Sequence, residues 1–279
     1  RMENIFAKTH PYYIFHAAAY KHVPMMEDNV SESIQTNVLG TKILADLAIK
    51  YDAKKFVMIS TDKAVNPSSI MGCSKRICEI YVQSLSRSIE KNNRKATQFI
   101  TTRFGNVLGS SGSVIPLFKE QIKNGGPITV THPEVIRYFM TIPEACQLVL
   151  EAGSMGNGGE IYIFDMGEPV KILDLAKRMI SMSGSRNIKI EFTGLRHGEK
   201  LYEELLNDAE CTMKTHNDKI MIAKIREYEY DEVKNKVDEL IEISYKYDDV
   251  EIVRKMKEMV PEFQEINSSY SIGDNLMQN

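Results

Sequence analysis

The 279-residue chain has no tryptophan and only four cysteines, Cys73, Cys78, Cys146 and Cys211. No two of them form a C-x-x-C pair, and none stands at metal-ligand spacing, which argues against a zinc site or a disulfide framework. Reduced, mostly buried thiols in a cytoplasmic protein are expected instead. His22 lacks a carboxylate or thiol at suitable spacing, so no metal is assigned to it. No apolar run approaches the ~20 residues that cross a bilayer, and no signal peptide is expected. The net charge of −3 gives no electrostatic reason to expect nucleic acid as a partner. Internal repeats are absent, as is any Pro/Gly/Ser linker between independent domains. Also absent is a G-x-x-G-x-x-G loop after any strand, the device that seats a dinucleotide pyrophosphate on a helix N-terminus.

With 43% hydrophobic residues over this length, the chain can bury a sizeable core. Strands are expected at 14–18, 56–60, 98–102, 160–164 and 187–192. Apolar spacing predicts a helix over 32–51, and further helices are expected over 70–90, 143–153, 172–182 and 199–206, with charged helices over 229–245 and 248–259. Thr141 with Glu144 is a capping box, with Pro143 suited to the first helical turn. Residues 1–6 read as the end of a helix and 12–18 as a mid-sheet strand. About 60 residues, or two βα units at ~30 each, are therefore expected upstream.

The most informative stretch runs from Lys55 to Lys75. Its apolar run Phe56–Ile59 reads as a buried parallel strand and stops at Ser60, Thr61, Asp62 and Lys63. A hydroxyl, a carboxylate and an amine are thus expected to be exposed together at a strand's C-terminal end, where open α/β sheets bind ligands. Asn66-Pro67-Ser68-Ser69 breaks the chain before a helix on which Met71 and Lys75, four apart, share a face. The strand at 98–102 brings Arg103, Phe104, Gly105 and Asn106 to the same edge. His16 ends its strand with the small residues Ala17, Ala18 and Ala19, which let a flat group pass close to the backbone. Asn37 is a poor helix former, so a buried polar role is expected for it. The glycine- and serine-rich loop 109–113 lets backbone approach a ligand.

The run STDKAVNPSSIMGCSK (60–75) resembles the nucleotide-sugar 4,6-dehydratases of the extended short-chain dehydrogenase/reductase superfamily. Further family-like segments are HAAAYKHVPMME (16–27), TNVLGT (36–41), RFGNVLGSSGSVIP (103–116), GGPITVTHPEVIRYFMTIPEA (125–145) and GLRHGEKLYEELL (194–206). Met71 stands where a catalytic tyrosine is usual, which resembles the C5-retaining UDP-N-acetylglucosamine branch. His197 departs from the family's usual proline.

The resemblance implies an α/β fold: a partial Rossmann, doubly wound parallel sheet lacking its first βα units, with a smaller α/β substrate-binding domain. Residues 1–170 would form the NAD-binding part, with 108–142 contributing to the substrate domain. Residues 171–263 would form the substrate domain, and 264–279 a disordered tail.

Catalytic residues are then expected at Thr61, Asp62, Lys63, Met71 and Lys75. Lys63 would be the C5 base, its pKa depressed by Lys75 and the nicotinamide, with Asp62 as the acid at the C6 hydroxyl. Expected cofactor contacts are Ala17, Ala18, Lys21, Asn37, Ser60, Lys75 and Phe104. Substrate contacts are expected at Lys21, Thr61, Asn106, Ser110, Ser113, Thr129, Arg137, Arg196 and Glu199. NAD is the implied cofactor, with NADP left open because the deciding strand lies upstream. A UDP-sugar substrate and a homo-oligomer are implied as partners. A membrane anchor in an N-terminal domain of the full-length protein would place the enzyme at the cytoplasmic face. A nucleotide-sugar 4-epimerase and a truncated, non-catalytic binding or assembly module are the alternatives.

Overall fold

The apolar runs assemble into one large sheet. In this computed structural model, residues 1–91, 97–184, 187–204, 206, 211–224 and 226–265 are described. Six strands lie in the order Tyr13–His16, Lys55–Ile59, Gln98–Arg103, Ile161–Phe164, Ile220–Lys224 and Cys211–Lys214. The first four run parallel; the last two are antiparallel additions. Side chains alternate between the faces of a strand, so Phe56, Met58 and Phe99 enter one core while Val57 and Ile100 enter another. Helix Ile70–Lys91 and the helical run 30–50 cover the first face, and helix Ile142–Met155 covers the second. Coverage on both sides is what continuous apolar strands require. The sheet is doubly wound.

Two local features depart from simple periodicity. The helix expected over 32–51 is divided into Val30–Ser33, a π-helical segment Ile34–Leu39, and Gly40–Lys50. Such wide turns are uncommon and cluster at functional sites. Asn37 lies in it, accepting from the Tyr20 amide at 2.7 Å and donating to Tyr20 O and Ser74 Oγ at 3.0 Å each. The second is Lys55, buried at a strand start. Its Nζ donates to the carbonyls of Gly153, Ser154 and Gly156 at 2.7, 2.7 and 2.9 Å. Those carbonyls end helix Ile142–Met155 and would otherwise lack partners. A cation there also complements the helix dipole.

A smaller cluster packs Phe118 of helix Val114–Lys123 and Ile128 and Val130 of strand Ile128–Val130 against Ile172 and Ala176 of helix Ile172–Met182. Strand Ile190–Phe192 pairs in parallel with Ile128–Val130. Strand Ile220–Lys224 joins the large sheet, and helices Tyr230–Ser244 and Asp249–Met259 pack on the first core with Ile77, Ile80 and Tyr81. The residues they bury there include Val233, Val237, Leu240, Ile252 and Met256.

One further expectation is corrected. Residues 199–204 and 206 are not helical, because the Lys200 and Leu201 carbonyls are taken by the Arg137 guanidinium. Helix Val114–Lys123 was not foreseen. Cys146 is exposed, unlike Cys73 and Cys78; Cys211 falls outside the described side chains. Most of the expected tail, 266–279, lies outside the described residues. Among the described residues, no helix is long and apolar enough to cross a membrane.

Candidate active site

A cleft of about 520 Å³ opens at the C-terminal ends of strands Lys55–Ile59 and Gln98–Arg103, between the large sheet and the smaller cluster. That volume suits a small-molecule ligand, and the position is where open α/β sheets bind one. Ala17, Lys21, Ser60, Thr61, Lys63, Met71, Lys75, Phe104, Asn106, Ser110, Ser113, Thr129, Arg137, Arg196 and Glu199 all line it. Three expected site residues do not. Ala18 faces an apolar groove beside the Met2–Thr9 helix. Asn37 is buried behind the wall, tying the 20–21 loop to the helix of Lys75 through Ser74. Asp62 is 1% exposed and lies beneath Thr61 and Lys63.

Asp62 is buried because the 3-10 turn Asp62–Ala64 folds it under the neighbouring strand end, with its amide bonded to Phe104 O at 3.2 Å. Its carboxylate nevertheless organises the cluster. Thr61 Oγ1 donates to Asp62 Oδ1 at 2.8 Å, and Lys63 Nζ donates to the same oxygen at 3.0 Å. Lys63 Nζ also reaches Asn106 Oδ1 at 3.5 Å and Glu203 Oε1 at 3.5 Å. Helix Ile70–Lys91 passes so close that a Cβ at Gly72 would meet Lys63 O at 2.2 Å, so only glycine fits there. Gly112 serves similarly: its Cβ would overlap the His22 ring at 2.0 Å, and its φ of +67° favours glycine in any case.

The two lysines titrate in opposite directions. Burial pulls the Lys63 ammonium down, but the charges of Asp62 and Glu203 outweigh it and leave the pKa above the usual lysine range. The expected depression of Lys63 is therefore not found; two carboxylates face it. Lys75, 6% exposed, is pulled below the usual range by burial, with Cys78 and Glu79 opposing. Behind the cleft, Glu79 accepts from Arg103 at 2.7 and 2.8 Å and from Arg76 at 3.1 Å. This buried triad joins the helix of Lys75 to the strand that delivers Phe104 and Asn106.

On the opposite wall, Arg137 is already committed. It donates to the carbonyls of Ile136, Lys200 and Leu201 and to Glu199, and its Nε lies 3.8 Å from Glu203. It holds the loop 199–203 rather than standing free for an anion. Arg196, 59% exposed and 3.3 Å from Glu199, and Lys21, 3.3 Å from Ser110 Oγ, are the more available cations. Thr129 Oγ1 is taken by Gln121 at 2.7 Å. Glu203 was missed as a site residue. It lies within the segment 194–206, but two adjacent glutamates, Glu203 and Glu204, could not be ranked until the loop's path placed one on Lys63 and the other on Asn66.

A family model described as polysaccharide biosynthesis protein matches residues 1–225. The chain is 56% identical over 234 residues to the capsular polysaccharide biosynthesis protein CapD of Staphylococcus aureus, covering 83% of this chain and 38% of that one. It is 44% identical over 195 residues to a protein of Rickettsia canadensis named UDP-glucose 4-epimerase, covering 70% of this chain and 56% of the relative. Among solved structures, Pen from Bacillus thuringiensis superposes with a TM-score of 0.71 at 38% identity, covering 78% of this chain and 67% of that one. The chain thus spans well under two thirds of the length of these curated relatives. Structures at lower identity, including 4-epimerases and dTDP-glucose 4,6-dehydratases, share the Rossmann-type fold. The chain belongs to the polysaccharide biosynthesis protein family.

Proposed function

We propose that this chain carries the catalytic loop and substrate-side wall of a nucleotide-sugar 4,6-dehydratase acting on UDP-N-acetylglucosamine with retention at C5. The observation that carries the reading is the Thr61–Asp62–Lys63 cluster, bonded at 2.8 and 3.0 Å, opposite a methionine where an epimerase-like site would need a proton-carrying tyrosine. Loss of water across C5–C6 of a 4-keto sugar needs a base at C5 and an acid at the C6 hydroxyl. One loop supplies both kinds of group. Lys63, once deprotonated, is assigned to the C5 proton, and Asp62, buried beneath Thr61, to the departing hydroxyl through the Thr61 hydroxyl it accepts from. Thr61 can accept a hydrogen bond from the C4 hydroxyl while passing its own proton toward Asp62. Met71 gives shape without proton transfer.

The cleft fits the nicotinamide end of NAD. Ala17 and Ala19 leave room beside the strand end, Ser60 and Phe104 line the floor, and the Lys75 amine stands where ribose hydroxyls would be held. When bound, NAD would take the C4 hydride and return it to C6. The exposed cations Arg196 and Lys21 suit a diphosphate.

The test is proton NMR of the product formed from UDP-N-acetylglucosamine by the full-length protein, without added reductant. A new C6 methyl signal is expected. A C4 epimer that keeps its C6 hydroxyl would establish the epimerase reading, which the Rickettsia relative's name favours. Substrate recovered unchanged, with tight UDP binding, would establish a binding module.

A further inference from the structure

The Lys63 amine is held from two sides, and only one of them is Asp62. Glu203 comes from a different part of the chain, its side chain 5% exposed, with Oε1 3.5 Å from Lys63 Nζ. Such placement needs a rigid support. Arg137 provides it by taking the carbonyls of Lys200 and Leu201 at 2.8 and 3.1 Å while lying 3.8 Å from Glu203 itself. The same loop is fastened to the catalytic loop elsewhere. Ser68 Oγ donates to Gly198 O at 2.9 Å, Lys200 Nζ to Val65 O at 3.3 Å, and Asn66 to Glu204 at 2.9 Å. So many cross-links over residues 65–68 leave the Glu203 carboxylate little freedom to leave Lys63.

We propose that Glu203 is a positioning residue of the catalytic cluster: with Asp62 it fixes the Lys63 amine, and it sets the pH at which that amine becomes a base. The proposal rests on the reading of Lys63 as the C5 base. The groups that face Lys63 are Asp62 from its own loop, Glu203 from the 199–204 loop, Arg137 from strand Ile136–Arg137, and the neutral Asn106. Lys21, Lys75, Arg196 and Glu199 line the same cleft, with His22 and His197. Two carboxylates against one guanidinium leave the balance on the side of the ammonium. Removal of either carboxylate shifts that balance toward the free amine.

The experiment titrates Lys63 directly in the full-length protein by NMR of lysines labelled at Cε, its signal assigned by loss in Lys63→Met. Glu203→Gln should move the Lys63 titration toward acid by about one pH unit or more, since an opposite charge at this distance is worth about 1–3 units. Glu203→Asp should fall nearer wild type. The rising limb of the pH–rate profile for product formation should move with the titration. An unmoved titration in Glu203→Gln would overturn the proposal, as would a lowered rate whose pH limb stays in place, because a purely structural role predicts that. If the wild-type protein forms no dehydrated product, the functional reading falls, while the NMR titration still decides whether Glu203 governs Lys63.

Discussion

Glu79→Gln should separate the two elements that carry the site. Glu79 and Arg103 are both 0% exposed, and Arg76 is 4% exposed. Burial alone would push the Glu79 carboxyl up; the charges of Arg103 and then Arg76 overrule it and hold the pKa at about 2. The fall from 4.5 to about 2 is worth about 3 kcal/mol at 1.36 kcal/mol per pH unit. Removing one partner of a buried ion pair costs about 3–5 kcal/mol by a separate route, since it strands the other charge. The two agree. Because the folded pKa is depressed, this contribution is complete above pH 4.5 and is lost as pH falls through about 2.

Urea unfolding at pH 7 should therefore show Glu79→Gln less stable by about 3 kcal/mol, with the gap to wild type narrowing below pH 4.5. Lys75 lies one turn before Glu79, and Phe104 follows Arg103, so kcat should fall more than substrate affinity. Replacing Arg103 by Met as well, in Glu79→Leu/Arg103→Met, should recover part of the lost stability. A loss below about 1 kcal/mol in Glu79→Gln, or a gap that does not close with acid, would refute the account of this triad.

Lys63→Met should lower product formation by about 10²–10⁴-fold and abolish solvent-deuterium exchange at C5. Met71→Leu should stay within about tenfold of wild type in the same assay. Lys55→Met keeps the apolar stem but leaves three helix-end carbonyls unpaired, and should cost about 2–3 kcal/mol in urea unfolding with no change in the pH optimum. Glu27 accepts from the Ile70 amide at 2.8 Å; burial, joined by Glu265 and Asp28 and opposed by that amide, raises its pKa to about 7, with Cys73 also nearby. A carboxyl raised in the fold favours the acid form, so wild-type stability falls as pH climbs from 4.5 through 7. Glu27→Gln should remove about 2 kcal/mol of that decline between pH 5 and 8, measured as Tm against pH.

The chemistry-bearing loop was legible because strand, breaker and helix follow one another in 21 residues, Lys55 to Lys75, with apolar run and helix spacing unambiguous. Helix Ile172–Met182 matched its expected limits for the same reason: a strong stripe and a clear break at Gly184. What escaped depended on long-range geometry. The burial of Asp62 comes with the Phe104 carbonyl, 42 residues away, and the upward shift of Lys63, led by the adjacent Asp62, is completed by Glu203, 140 residues away. Arg137 is expected at the substrate only through the family resemblance; its donors are taken by carbonyls whose positions no local pattern announces. The antiparallel strands at 211–224 were missed because their alternation is short and interrupted by Thr215–Lys219.

The opposite titration of the two lysines constrains how a UDP-sugar would have to lie. Groups of one kind whose environments push them apart divide acid and base roles between them. Lys63 stands between two carboxylates and is held charged, so any further negative charge beside it would bind its proton more firmly and delay its action as a base. A diphosphate is such a charge. Under the proposed reaction it belongs away from Lys63, and the available cations agree. Arg196 has 59% of its side chain exposed at the rim, whereas Lys63 has 20% exposed in the cleft. The sugar ring would then occupy the inner end, its C5 face toward Lys63, with the phosphates held at the rim by Arg196 and Lys21. Arg196→Ala should accordingly raise KM for the UDP-sugar about tenfold while leaving the rising limb of the pH–rate profile in place, measured from initial rates carried into the lysine titration range. A shift of that pH limb in Arg196→Ala would mean that the phosphates sit close enough to Lys63 to set its charge, and the orientation would have to be reversed.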